Sequence, residues 1–81
     1  MNQRIDISPA RLARWIKAAT FLGADGNALI VELQLVGAVP TRHNLGRAAK
    51  AARQAEAVTT GDAQRIANVT ATEIENDASA I

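Results

Sequence analysis

Residues 28–36, which read ALIVELQLV, are the most apolar stretch of the chain and decide its predicted fold class. In an extended strand, alternate residues point to opposite faces. One face of this stretch is then wholly aliphatic, formed by Leu29, Val31, Leu33 and Leu35. Wound as a helix, the stretch is apolar nearly all round, and its β-branched residues also favour extended backbone. The pattern therefore predicts a strand, which Gly37 and Pro40 close.

The residues before this stretch predict a helix from about residue 9 to about residue 23. Ser8 is a good N-cap and Pro9 suits the first helical position. Apolar residues recur at spacings of three and four, which is typical of a helix face against a core. These residues are Leu12, Trp15, Ile16, Ala19 and Leu22. Because its neighbours on that face are apolar, Trp15 is predicted to be a core residue rather than a ligand-stacking group. Residues 23–27 (GADGN) predict a turn.

Two more helices are predicted after the strand. Thr41 is expected to cap a helix over residues 42–57, and Thr60 a helix over residues 61–78. The apolar face of the first is Leu45, Ala48, Ala52 and Ala55, and that of the second is Ala63, Ile66, Ala67, Thr70, Ile74, Ala78 and Ile81. Gly46 lies inside the first, where it costs about 1 kcal/mol relative to alanine. A close backbone contact is expected to explain it.

Together these elements predict a small, α-rich α+β protein that forms a single domain over residues 1–81. It has about three helices and one or two short strands, in the order (β)-α-β-α-α. The optional first strand is residues 4–7 (RIDI), which also alternate in character. A chain of 81 residues builds only a small core, and much of its apolar content is alanine.

Composition argues against several classes of function. The chain has no cysteine, so it forms no disulfide, thiolate metal site or cysteine nucleophile. His43 is the only histidine and lacks the cluster of neighbouring ligands that a metal site needs. The glycines match neither a dinucleotide-binding motif nor a P-loop. We therefore expect no catalysis, no metal and no cofactor. With no long apolar run and no visible signal peptide, we expect a cytoplasmic chain that does not enter a membrane, located in the host cytoplasm or the virion if a bacteriophage encodes it.

Charge is distributed unevenly although the formal net charge is only +1. Residues 41–54 carry Arg42, Arg47, Lys50 and Arg53 and no acidic residue. Residues 55–81 carry Arg65 against Glu56, Asp62, Glu73, Glu75 and Asp77. Such basic and acidic segments are expected to pair, either within the chain or between copies of it.

A protein-interaction module is the function that these features favour. A lone strand leaves backbone groups without partners, so we expect self-association. The chain would then be an accessory or assembly subunit, or an inhibitor that binds another protein. Its composition, rich in alanine, arginine and threonine, is typical of bacterial or bacteriophage proteins. The candidate interaction residues are Arg42, Arg47, Lys50, Arg53, Glu32, Gln34, Glu73 and Asp77.

A dimeric DNA-binding regulator is the alternative, ranked second. The predicted order of strand 28–36, helix 42–57 and helix 61–78 resembles the ribbon-helix-helix arrangement in outline only. In that arrangement, paired strands enter the major groove, and glutamine and glutamate side chains can read bases there. The outward face would be Ile30, Glu32, Gln34 and Val36. However, the strand carries no lysine or arginine, and the N-terminal helix departs from the pattern.

Replacing Trp15 with alanine is predicted to unfold the protein. Loss of a buried aromatic side chain costs about 3–5 kcal/mol, which is close to the whole stability of many small domains. The measurement is a thermal melt followed by circular dichroism. A melting temperature near that of the wild type would place Trp15 outside the core.

Overall fold

The computed structural model describes residues 4–80, which form a four-helix bundle. The α-helices are α1 (Pro9–Phe21), α2 (Asn27–Ala38), α3 (Arg42–Val58) and α4 (Gly61–Ser79). A short 3₁₀ helix, Gly23–Gly26, joins α1 to α2. Each helix packs against the next, and α4 returns to α1, so the helices follow one another around the bundle. Residues 1–3 and Ile81, which was predicted to belong to the last apolar face, lie outside the described residues.

The strand predicted over residues 28–36 is wrong, because these residues belong to α2. Leu29, Leu33 and Val36 are buried, so burial recurs every three or four residues rather than every second residue. An isolated strand would leave its backbone polar groups unpaired, whereas a helix satisfies most of them internally. The α+β fold class, the ribbon-helix-helix outline and the self-association expected from unpaired strand backbone all depended on this strand. The described residues form a helical bundle instead.

The optional strand over residues 4–7 is also wrong. The backbone N–H of Ile5 donates to the carbonyl oxygen of Pro40 at 2.7 Å, and Arg4 forms one isolated antiparallel bridge with Thr41. No named strand or sheet occurs within residues 4–80. The segment therefore ties the N-terminal residues to the α2–α3 connection without building a sheet.

Helix starts were predicted more successfully than the strand. The Ser8 hydroxyl accepts the backbone N–H of Arg11 at 3.1 Å, and Pro9 is the first residue of α1. The Thr41 hydroxyl likewise accepts the backbone N–H of Asn44 at 3.2 Å and caps α3. Thr60 occupies the N-cap position of α4 but makes no side-chain capping bond there. These starts depend on local chemistry, which explains why the sequence reveals them.

Close packing around the alanine face of α3 builds the core. α3 packs on one side against α2 and on the other, more extensively, against α4. Trp15 is fully buried, which confirms its prediction as a core residue. The principal cluster comprises Trp15, Ala19, Leu29, Leu33, Val36, Leu45, Ala48, Ala49, Ala51, Ala52, Ala71 and Ile74. Because alanine side chains are short, the helix backbones approach closely to exclude water.

The glycine contacts differ from those expected. A Cβ added to Gly46 would meet nothing within 4 Å, so the close contact expected at this position is absent. The close contact occurs at Gly26 instead, where a Cβ would lie 2.0 Å from the carbonyl oxygen of Ala19. Gly26 therefore allows the 3₁₀ turn to lie against the end of α1 and direct α2 back along it.

Gly26→Ala is predicted to lower the free energy of unfolding by about 3 kcal/mol, because overpacking against a backbone atom cannot be relieved by a side-chain rotation. Gly46→Ala is the matched control and is expected to raise it by about 1 kcal/mol, through helix propensity. Chemical denaturation of both variants measures the difference. Equal stability of the two would contradict the assigned role of Gly26.

Candidate functional site

Two ion pairs join α4 to α1. Arg11 Nη1 lies 2.7 Å from Asp77 Oδ1, and Arg14 donates to Oε1 of Glu73. The same Glu73 oxygen accepts the indole N–H of Trp15 at 3.0 Å. Position 11 meets position 77 and position 14 meets position 73, so the two helices run antiparallel. These bonds join the acidic end of the chain to its first helix.

The hydrogen bonds to Glu73 favour its ionised form. The hydrogen bond from Arg14, and after it the bond from Trp15, lowers the pKa of Glu73 below its ordinary value of 4.5. Burial acts in the opposite direction but does not prevail. At neutral pH Glu73 is therefore an ionised acceptor that fixes both the Arg14 guanidinium and the Trp15 indole.

A second cluster joins α4 to α3 and centres on Arg53. Its guanidinium makes two bonds to the Glu75 carboxylate, at 2.7 and 2.8 Å, and one to Glu56 at 3.0 Å. Asn68 and Thr72 of α4 accept two further bonds from it. The hydrogen bonds to Glu75 and then Glu56 raise the pKa of Arg53, and the bond from Arg53 lowers the pKa of Glu75. Arg53 therefore stabilises the packing of α4 against α3.

The structure separates the candidate residues into three paired groups and a fourth, exposed group. Arg53 belongs to the α3–α4 cluster, while Glu73 and Asp77 pair with α1. Arg47 lies 3.2 Å from Glu32 and joins α3 to α2. The remaining candidates are exposed: Arg42 and Lys50 on α3 and Gln34 on α2. The predicted pairing of the basic segment 41–54 with the acidic segment 55–81 thus occurs within one chain between Arg53 and Glu75. Glu73 and Asp77 instead form ion pairs with the arginines of α1.

Arg11, Arg14, Glu75 and Glu56 take part in the ion pairs between or along these helices but are not among the candidates, and neither are Arg65 and Asp62, which pair with each other. The spacing of Arg11 and Arg14, and that of Glu73 and Asp77, places each pair on one helix face. This spacing was visible in the sequence. The alignment of the two helices was not visible, because it is set by packing between residues about 60 positions apart.

A polar groove separates α2 from α3 beside the Arg47–Glu32 pair. It has a volume of about 320 Å³ and is lined by Ala28, Glu32, Arg47, Lys50, Ala51 and Gln54. Lys50 forms no ion pair with a carboxylate of the described residues. The groove therefore places one available ammonium group next to the exposed side of α2.

The exposed side of α2 is the most distinctive surface feature that sequence reasoning missed. Val31 and Leu35 have exposed fractions of 63 and 38%, Val39 directly after the helix has one of 41%, and Ala28 and Ala38 are also exposed. We call these five residues the α2 outer face. The signal was present in the apolar character around the whole helix, but that character was interpreted as favouring a strand. An apolar surface of this kind is typical of a binding site.

Within residues 4–80, no group of three or more histidine, cysteine, aspartate or glutamate residues is arranged to hold a metal ion. His43 is exposed in the first turn of α3. In the same part of the chain, no helix combines the length and apolar character needed to cross a membrane.

Stability is predicted to fall as the pH decreases below about 5. The pKa values of Glu73 and Glu75 are lowered in the folded state, so the unfolded chain binds protons first and gains relative stability. This contribution is fully present above the ordinary glutamate pKa of 4.5 and is lost as the pH falls through the lowered values. Denaturant unfolding between about pH 6 and pH 3 measures it.

The double variant Glu73→Gln, Glu75→Gln is the control for this prediction. It retains side-chain hydrogen-bond acceptors but removes both titrating groups. Its unfolding free energy is expected to depend less steeply on pH than that of the wild type over the same range. An unchanged pH dependence would show that these two carboxylates do not carry the effect.

No protein-family model, no curated protein and no solved structure matches the chain. The candidate sites are therefore defined by the exposed apolar residues, grooves and charges of the chain itself.

Proposed function

We propose that the chain is a self-associating protein-interaction module in which the α2 outer face binds a second copy. The observation that carries the proposal is the exposure of Val31 and Leu35 one helical turn apart, with Ala28 and Ala38 continuing the same side of the helix. Burying such aliphatic surface is favourable by about 25 cal/mol per Å². α2 thus has an apolar side packed in the core and another available to a partner.

A second copy suits this surface because its polar features are compatible with self-pairing. Glu32, at the α3 side of α2, already pairs with Arg47, so the two charges are compensated before association. Gln34 is exposed on the other side of the α2 outer face from Glu32. Its amide both donates and accepts hydrogen bonds, so two Gln34 side chains can pair across a two-fold axis.

The area that an interface needs indicates how far it extends. A stable two-fold interface buries about 800 Å² on each copy, which is about a sixth of the 4873 Å² of this chain's surface. The α2 outer face is only about 15 Å long from Ala28 to Ala38. A stable dimer must therefore also cover neighbouring residues. The polar groove containing Lys50 and Gln54 adjoins Ala28 and is suited to this role.

Self-association of this kind serves an accessory or assembly subunit, or an inhibitor that presents a paired surface to another protein. A protein surface is favoured over DNA by the state of the basic residues. Arg47 and Arg53 are bonded to carboxylates, which leaves Arg42 and Lys50 as the candidate cations without an ion pair in residues 4–80. On the basic face of α3, two such cations provide little of the phosphate neutralisation that supports DNA binding.

Val31→Glu is predicted to abolish association without unfolding the chain, because the carboxylate would be buried without a partner in the interface. Val58→Glu is the matched control, since Val58 has a similar exposed fraction of 67% but lies at the end of α3. Sedimentation velocity at micromolar concentration is expected to give twice the chain mass of 8.5 kDa for the wild type and Val58→Glu. Val31→Glu is expected to give the monomer mass with unchanged circular dichroism.

Two results would overturn this proposal. One is a wild-type mass of 8.5 kDa at every concentration tested, and the other is a Val31→Glu variant that associates as the wild type does. A gel shift on duplex DNA tests the alternative function. Salt-sensitive DNA binding whose salt slope falls by about two in Arg42→Gln, Lys50→Gln would instead support the DNA-binding regulator.

A further inference from the structure

A second groove lies between α1 and α4, away from α2. Its volume is about 280 Å³, just below the range of about 300–1,000 Å³ for small-molecule sites. It is lined by Arg14, Trp15, Ala18, Arg65, Ile66, Val69, Thr70 and Glu73. α2 packs against α1 and α3, so this groove and the α2 outer face occupy different sides of the bundle.

The middle of the groove is apolar. Ala18 lines it from α1, and Ile66 and Val69 line it from α4. Val69 is 51% exposed, so its side chain is accessible to a ligand. Trp15 contributes to the lining although it is buried overall. An apolar ligand in the groove would therefore displace water from the exposed aliphatic surface.

The charged groups of the groove are separated along α4. Glu73 and Arg65 are eight residues apart, which corresponds to about 12 Å along a helix. At the Glu73 end, the carboxylate is already bonded to Arg14 and Trp15. At the other end, Arg65 pairs with Asp62, but the two side chains are 71 and 76% exposed. Such an exposed pair contributes little stability and leaves Arg65 able to bind another anion.

We propose that the α1–α4 groove binds a small, elongated apolar molecule with one anionic head group, such as an alkyl carboxylate. The apolar part lies along Ala18, Ile66 and Val69, and the anion meets the guanidinium of Arg65. Of the exposed Arg65–Asp62 pair only Arg65 lines the groove, and Glu73 is already bonded to Arg14 and Trp15, so an anion is favoured over a cation. This site is independent of self-association through α2.

Decanoate is the probe, with decan-1-ol and decyltrimethylammonium as neutral and cationic molecules of equal chain length. Trp15 is the only tryptophan, so its indole N–H gives a single nuclear magnetic resonance signal beside the groove. Titration below the concentration at which the probes aggregate is expected to shift this signal most strongly with decanoate. Arg65→Gln is expected to weaken decanoate binding about tenfold, through loss of a charge-assisted hydrogen bond, while decan-1-ol binding is unchanged.

Val69→Asp is expected to abolish binding of decanoate, because it places an anion on the apolar wall, whereas Val58→Asp at the end of α3 is the control. Val31→Glu is expected to leave decanoate binding intact, which separates this site from the α2 outer face. Equal affinity for the three probes would overturn the proposal. Loss of binding in Val31→Glu, or full binding in a folded Val69→Asp variant, would also overturn it.

Discussion

The close approach of α2 and α4 to the alanine face of α3 is the constraint on which the rest of the structure depends. Each alanine buries little surface. The core is therefore stabilised by close packing of the helix backbones rather than by interlocking large side chains. Trp15 supplies the largest buried side chain of this core. Because α3 sits between α2 and α4, its short side chains set the spacing of the whole bundle.

The ion pairs follow from this spacing. Arg53 can bond to Glu75, Asn68 and Thr72 because α4 lies directly beside α3. α1 contacts α4 less extensively, and its bonds run through Arg11 and Arg14 to carboxylates near the end of α4. The α1–α4 groove occupies the side of this contact where Ala18, Ile66 and Val69 remain available. The same packing thus closes one side of α4 and leaves a groove on the other.

The exposed apolar residues of the α2 outer face, unlike the ion pairs, do not follow from the packing of the bundle. Most helices of a small domain are apolar on one face and polar on the other, but α2 is apolar on both. Leu29 and Leu33 are fully buried, while Val31 retains 63% of its exposure. The bundle has no fifth helix in the described residues to cover that surface. The apolar excess in α2 is therefore not explained by packing within residues 4–80, and this is the reason for proposing that it binds a second copy.

The sequence by itself determined the local features: the caps at Ser8 and Thr41, the core position of Trp15, and the buried alanine face of α3. These depend on residues within one or two helical turns. Tertiary structure decided that residues 28–36 form a helix, because both periodicities fit an almost wholly apolar run and only the neighbouring helices favour one of them. It also decided which carboxylate meets which arginine, since that depends on the alignment of helices far apart in sequence.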